Sequence, residues 1–553
     1  MQMNPREIEE RLRAYYPRDC RVTVERVASS GDSGFEMGLF GMPAAGIPFA
    51  KIDAKSLRRW KIRLFWCIDL TLSAGPGSEF QCELLLPERD WNGKAVFVGN
   101  GGQAGTLLYQ TELAFLYEPY AVIHCNLGTS DIDAGLSSSS AIIDFGWRAT
   151  HLSTVVGKDV IALVYGRPIL HTYCVGMSTG GQQGIAAATV CPEDFDGIVA
   201  IAPGISRSRL HPAFIWYTRC LVREDGTSKF SLAEIAKIHK VILDYHGRHG
   251  YGAPGDLFVS VLFSREERQE ILEEIERSCG FSPDQIRSLL AFYQGPVDPE
   301  TGEKIFSGFA PGAECNALGM VGHILPELYA GQIWLGAWMT GMTNRAFNSG
   351  GFRQFDFAKH GKSPMARRIA TDMDADSGDL AAFRARGGKL LVIQGIEDEF
   401  IPPENIVDWY ERVVSRQGGL ETAQTFCRLF LVPGNGHSWI QDGINWISDE
   451  EGLEESLKFY RDLLAIGCGL VPAIDRWVCR EVPPDRLIGT SCSRQGVYAP
   501  DISSGITRQR PLYPYPDMAE YVSGDPDLLT SFRRKRGTLG HYEKPCSGRY
   551  AVN

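Results

Sequence analysis

Three short stretches hold side chains that could work together as one chemical unit. In Gly176-Met177-Ser178-Thr179-Gly180 a serine stands between glycines, after a strand-like run at 169–175 and before a helix-prone segment at 182–189. A strand, a sharp turn and a helix hold a serine hydroxyl exposed above a sheet as a nucleophile, and glycines are needed where helix and strand pass too closely for Cβ atoms. A serine hydroxyl is a poor nucleophile near neutral pH, so it requires a base, and the base requires an orienting acid. His437, in Val432-Pro433-Gly434-Asn435-Gly436-His437-Ser438, is the candidate base. The candidate acid is Asp398, just after an apolar run, with Glu397 beside it as a rival on residue type alone. Gly99-Asn100-Gly101-Gly102-Gln103-Ala104 follows another apolar run and formally fits a dinucleotide-binding loop. The next strand, however, ends in His124-Cys125-Asn126 without the acid that such a site needs. The loop reads better as half of an oxyanion hole, with the N–H of Gly101 or Gly102 as one donor and that of Thr179 as the other.

These residues need a sheet to hold them. Short apolar runs at 95–98, 121–125, 171–175, 198–201, 389–393 and 428–432 read as buried parallel strands, and 148–165 between two of them has helical spacing. Such alternation implies an α/β class, with a mostly parallel, doubly wound sheet covered on both faces. Segments 63–72 and 80–86 alternate more cleanly and fit antiparallel strands leading into it. The alternation stops after Pro203-Gly204 and resumes near Lys389; helical patterns at 232–243, 265–277 and 283–293 and the aromatics Trp334 and Trp338 lie between. The expected organisation is core 1–204, an inserted lid 205–385 that shapes the pocket with Trp334 and Trp338 as substrate contacts, and core 386–553 with an irregular C-terminal tail. Asp372-Met373-Asp374-Ala375-Asp376-Ser377-Gly378-Asp379 lacks the glycine and glutamate of a calcium loop and reads as a capped helix start before 380–386. His246 and His249 have no further ligand pattern around them, so no metal site is expected there.

The chain has 553 residues, a formal net charge of −11 and no basic block, which argues against nucleic acid or an anionic membrane as a partner. At that length a single ordinary core is outgrown, consistent with a large insertion. The polar start Met1-Gln2-Met3-Asn4-Pro5-Arg6 has no apolar secretory stretch, so a cytoplasmic protein is expected. Fourteen scattered cysteines form no C-x-x-C pair and are expected to be mostly buried thiols, with a bridge left open among Cys468, Cys479 and Cys492.

The chain resembles the tannase/feruloyl esterase family of α/β-hydrolases, in which the order Ser…Asp…His is also found. Matching stretches include Trp91-Asn92-Gly93-Lys94, Gly99-Asn100-Gly101-Gly102, Asp144-Phe145-Gly146-Trp147-Arg148-Ala149-Thr150-His151, Ser178-Thr179-Gly180-Gly181-Gln182-Gln183-Gly184, Pro192-Glu193-Asp194-Phe195-Asp196-Gly197 and Arg510-Pro511-Leu512. The resemblance implies an α/β-hydrolase core with a lid, a small-molecule aromatic ester as substrate, and Asp398 rather than Glu397 as the orienting acid. It also implies a disulfide joining the residue before the serine to the residue after the histidine, but Met177 and Ser438 stand there. A calcium loop in the lid is implied too; 244–252 lacks its spacing, so no cofactor or metal is expected. Both departures suit a reducing compartment and a metabolite ester, such as an aromatic or polyketide product of secondary metabolism. Acyl transfer, lactonisation or C–C bond chemistry could use the same three residues. A non-catalytic binding protein is the third reading, and it sits poorly with an intact nucleophile, base and acid.

Overall fold

The computed structural model describes residues 4–15, 17–42, 47–105, 113–131, 133–316, 319–320, 322, 334–437, 443–459, 467–493 and 505–540. Its centre is a nine-stranded sheet. In chain order the strands are β1 (Arg21–Ser29), β2 (Phe65–Gly75), β3 (Ser78–Pro87), β4 (Lys94–Val98), β5 (Ala121–Cys125), β6 (His171–Met177), β7 (Gly197–Ile201), β8 (Lys389–Gly395) and β9 (Cys427–Val432). Across the sheet the order is β1-β2-β3-β5-β4-β6-β7-β8-β9. The first three pair antiparallel and β3 meets β5 antiparallel; from β5 to β9 every pairing is parallel. All six apolar runs read as parallel strands lie in this part.

Successive side chains of a strand point to opposite faces, and the core follows that rule. Cys174, Ile198, Leu390 and Val392 join one buried cluster, with Val156 and Val160 of α1 (Ala149–Tyr165) and Ile185 of α2 (Thr179–Val190). Tyr173, Val175, Val199, Leu391 and Ile393 join the other, with Ile474 and Trp477 of the helix Val471–Arg480. Both faces of the parallel strands are therefore dry, which is why these strands read as continuous apolar runs.

Between β7 and β8 the chain is helical: α3 (Arg207–Leu221), α4 (Leu232–Arg248), α5 (Arg265–Cys279) and α6 (Pro283–Gln294). The last three begin with reciprocal serine boxes, Ser231 with Glu234, Ser264 with Glu267 and Ser282 with Gln285, which satisfy donors that the helix leaves unbonded. Each runs slightly beyond its expected end. The Asp-rich stretch does not supply the expected cap: the helix Ala381–Ala385 is preceded by Leu380, with no side-chain cap bond. Asp379 accepts from the N–H of Ala381 at 3.2 Å, while Asp374 and Asp376 clamp Ser206, Ser208 and Arg209 at the start of α3. The tail packs on the core, where the N–H of Tyr515 donates to Leu429 in β9 at 2.7 Å. Among the described residues no helix is long and apolar enough to cross a membrane.

Candidate active site

Ser178 directly follows β6 and caps α2 with φ 60° and ψ −114°, a conformation that side-chain-bearing residues hold only when their surroundings enforce it. Here they do. Its N–H donates to the carbonyl of Ile201 at 2.8 Å, and its own carbonyl accepts from Gln182 at 3.0 Å and Gly204 at 3.1 Å. A Cβ on Gly176 would stand 2.5 Å from the carbonyl carbon of Gly180, and one on Gly99 would stand 2.5 Å from the Gly180 Cα. Three glycines are therefore required for the loop after β4, the end of β6 and the start of α2 to meet.

Asp398 lies in the loop after β8 and is 1% exposed. Its Oδ1 accepts from the N–H groups of Phe400 at 2.9 Å and Ile401 at 2.7 Å. Both carboxylate oxygens face Nδ1 of His437, at 3.1 and 3.0 Å. That geometry places the ring proton on Nδ1 and leaves Nε2 basic. Glu397 is turned away and accepts from the N–H of Val259 at 2.6 Å. Glu399 holds the histidine loop by accepting from the His437 N–H at 2.8 Å. Phe400 sets its edge against the imidazole, with centroids 5.1 Å apart.

Burial disfavours a charged His437, but the charge and hydrogen bond of Asp398 and the charge of Glu399 outweigh it, so the imidazole pKa is raised. Arg207 acts in the opposite direction on the same ring. Burial, then the neighbouring Asp398 charge, pushes the Glu399 carboxyl up.

The glycine loop lies against the elbow: Asn100 accepts from Gly180 N–H at 2.7 Å, and the Thr179 hydroxyl donates to the Gly102 carbonyl at 2.5 Å. As the first residue of α2, Thr179 has an N–H with no carbonyl to bond within its own helix. Gly101 is on the exposed side of the loop, and Gly102 takes φ +56°. Trp338 is 2% exposed, and a Cβ on Gly135 would come within 2.1 Å of its ring. Its ring thus fills the contact between its helix, Trp334–Thr340, and the turn Ala134–Leu136. The side chain of Trp334, like Ser438, lies outside the described residues; Met177 is partly buried against the cluster that contains Val175. Sequence reading passed over Glu399 and Arg207, the first hidden in a run of acids and the second one arginine among many.

The donor sets do not fit a metal. In the region matched to a calcium loop, Asp244 is paired with Lys240 at 2.8 Å and His246 is hydrogen-bonded to Ser260 at 2.9 Å, far short of the six to eight oxygens that calcium takes. Among the described residues, Cys67, Asp69 and Glu83 form one candidate group and His151, Cys191 and Glu193 another. Arg26 donates to Asp69 at 2.7 Å and to Cys67 at 3.1 Å, so an internal cation serves the first. In the second, both carboxylate oxygens of Asp194 face His151 Nδ1, at 3.1 and 2.9 Å, and their bond raises the His151 pKa to about 10.

The family model described as tannase and feruloyl esterase matches residues 73–246 and 278–534. An uncharacterized esterase of Xanthomonas campestris pv. campestris is 27% identical over 476 residues, covering 80% of each chain. A probable feruloyl esterase B-2 of Aspergillus flavus is 26% identical over 373 residues, 65% of this chain and 68% of that one. Among solved structures, an esterase from Aspergillus oryzae superposes with a TM-score of 0.72 at 20% identity, covering 96% of this chain and 100% of its own. With a serine elbow, a buried Asp–His pair and a glycine loop gathered at one edge of an α/β-hydrolase sheet, the chain belongs to the tannase and feruloyl esterase family and is a carboxylic ester hydrolase.

Proposed function

We propose that the protein cleaves an aromatic carboxylic ester through an acyl-enzyme on Ser178. His437 Nε2 takes the hydroxyl proton as Ser178 attacks the carbonyl and then delivers it to the departing alcohol. Asp398 keeps the imidazole in the required tautomer and stabilises the imidazolium. The N–H groups of Thr179 and of Gly101 or Gly102 receive the negative charge on the acyl oxygen. The observation that carries this reading is the Asp398–His437 contact at 3.0 Å, on the loops after β8 and β9, at the sheet edge where β6 delivers Ser178. Residues 205–385 act as the lid over that edge. An intracellular metabolite ester, in the setting of secondary metabolism, is the favoured substrate: Cys67, Cys82, Cys174, Cys191, Cys220 and Cys427 are buried free thiols, as suits a reducing compartment.

A fluorophosphonate probe should label Ser178 and no other residue, and the labelled protein should lose all hydrolysis of a panel of hydroxybenzoate, hydroxycinnamate and aliphatic esters. Aromatic esters should be turned over fastest, with product acid rather than a new ester even when alcohol is added. Hydrolysis that survives complete labelling of Ser178 would sink the assignment.

A further inference from the structure

Arg207 opens α3 and is 4% exposed, yet it forms no ion pair among the described residues. Its Nη2 donates to the Thr179 hydroxyl oxygen at 2.6 Å and its Nε to Gln182 Oε1 at 2.7 Å. Its Nη1 lies 3.5 Å from His211 Nε2, and the guanidinium carbon stands 5.5 Å from the centre of the Phe145 ring. Gln182 is locked in turn, because its amide nitrogen donates to the Met373 carbonyl at 2.9 Å. The acid that acts on Arg207 is Asp374, which is spent on the N–H of Ser208 at 2.9 Å. Burial and the charge of Asp376 push the Asp374 carboxyl up, which weakens it as a counter-ion. A buried cation without a committed counter-ion is costly to keep, which asks for a reason.

The reason lies in which atoms carry protons. A guanidinium can only donate. The Thr179 oxygen must therefore accept from Arg207, and its single proton is committed to the carbonyl of Gly102 at 2.5 Å. That bond ties the residue after the nucleophile to the glycine loop, the two places from which the oxyanion donors come. We infer that Arg207 is the positioning residue of the oxyanion hole: it fixes the Thr179 hydroxyl so that the glycine loop is held at the elbow, and its unpaired charge favours the anion that forms there. The inference rests on the Ser178 reading above. The same cation opposes protonation of His437, whose other charged neighbours are Asp398 and Glu399.

The test uses Arg207→Met, Arg207→Lys and Thr179→Val with an aryl ester substrate, plus a boronic acid as a mimic of the tetrahedral state. Deleting an oxyanion donor outright costs about 10²–10³ in kcat. Arg207→Met, which only loosens one, should lower kcat roughly 10–100-fold with little change in KM. Boronate affinity should fall in parallel. The acid limb of kcat/KM should move to higher pH, because repulsion of the imidazolium is lost. Arg207→Lys should restore the limb but only part of kcat, since one ammonium cannot make the same fork of contacts. Thr179→Val should lose kcat without moving the limb, and the double variant should be no slower than Arg207→Met alone. An Arg207→Met protein with lowered Tm but unchanged kcat, boronate affinity and acid limb would show a packing role only and overturn the inference. If Arg207→Met does not fold, Thr179→Val decides, because full activity there breaks the link. Activity surviving in Ser178→Ala would remove the underlying reading instead, so the two failures are distinct.

Discussion

The two ends of the parallel strands handle charge differently. At their starts, several cations are paired with acids. Lys94 Nζ and the Tyr173 hydroxyl both donate to Asp475 at 2.5 Å, Arg386 meets Asp196 at 2.9 Å, and Arg428 meets Asp485 at 2.5 Å. At their C-terminal ends, Asp398, Glu399 and Arg207 are buried and His437 is partly buried, with two acids converging on one histidine and an arginine that has no ion-pair partner among the described residues. The first arrangement serves a fixed charge distribution. The second suits a place where charge is made and removed in each cycle, since groups whose balance is incomplete at rest are the ones that can respond.

The contrast can be broken most severely by deleting the nucleophile. Ser178→Ala should reduce turnover by about a millionfold, and His437→Ala should cost about as much. The protein should keep its thermal midpoint, because alanine retains the Cβ and the backbone of the elbow is held by the same N–H and carbonyl bonds. Asp398→Asn should cost about ten-thousandfold by favouring the wrong tautomer of His437, as read from kcat in steady-state assays.

A smaller and more telling effect is on pH dependence. His437 must lose its proton to act, so kcat/KM should rise with pH through a single ionisation above the ordinary histidine value of about 6.5. Glu399→Gln keeps an acceptor for the His437 N–H but removes a charge that favours the imidazolium. Its limb should move to lower pH, and a limb left in place would mean that Glu399 is only structural.

At the opposite end of the strands, Asp475→Asn should leave kcat/KM within about twofold and cost about 1–3 kcal/mol of stability at pH 7, as for a partly buried hydrogen-bonded charge that loses its partners. Lys94 and Tyr173 hold the Asp475 pKa down in spite of burial. The stabilisation is therefore complete above the unfolded value of about 3.9 and lost as pH falls through the lowered folded one. Denaturation of wild type and variant should converge in that acid range. Least of all should happen with millimolar reductant, which should change neither activity nor thermal midpoint because the buried thiols are already free.

Much of this was legible in the sequence, for a physical reason. Strands dry on both faces leave unbroken apolar runs, and a crowded elbow demands glycines, so β4 to β9 and Ser178 announce themselves locally. Asp398 and His437 follow strand ends, which is also a local signal. Local signals could not separate Asp398 from Glu397 without the family likeness; the structure separates them by direction, one toward His437 and the other toward Val259. Arg207 stayed hidden because its meaning depends on what is absent around it, an ion-pair partner, and on contacts with Thr179 and Gln182 more than twenty residues away. The aromatic run at Trp338 suggested a pocket wall, yet that ring is enclosed against Gly135. Apolar residue type alone does not tell a lining from a filling.

The order of the strands has a consequence for how the molecule is made. β7 ends at Ile201 and its neighbour β8 begins at Lys389, so about 190 residues must be synthesised before the edge of β7 can be covered. At typical rates of chain growth, that leaves a raw parallel edge exposed on the nascent chain for on the order of 10–40 seconds. An open edge of that kind is a template for unwanted pairing. The serine elbow has by then emerged, but His437 has not, so the unfinished chain is sticky before it is active. Yield during expression should therefore depend on slowing competitors for that edge, by lower temperature or more chaperone, rather than on any property of the finished fold.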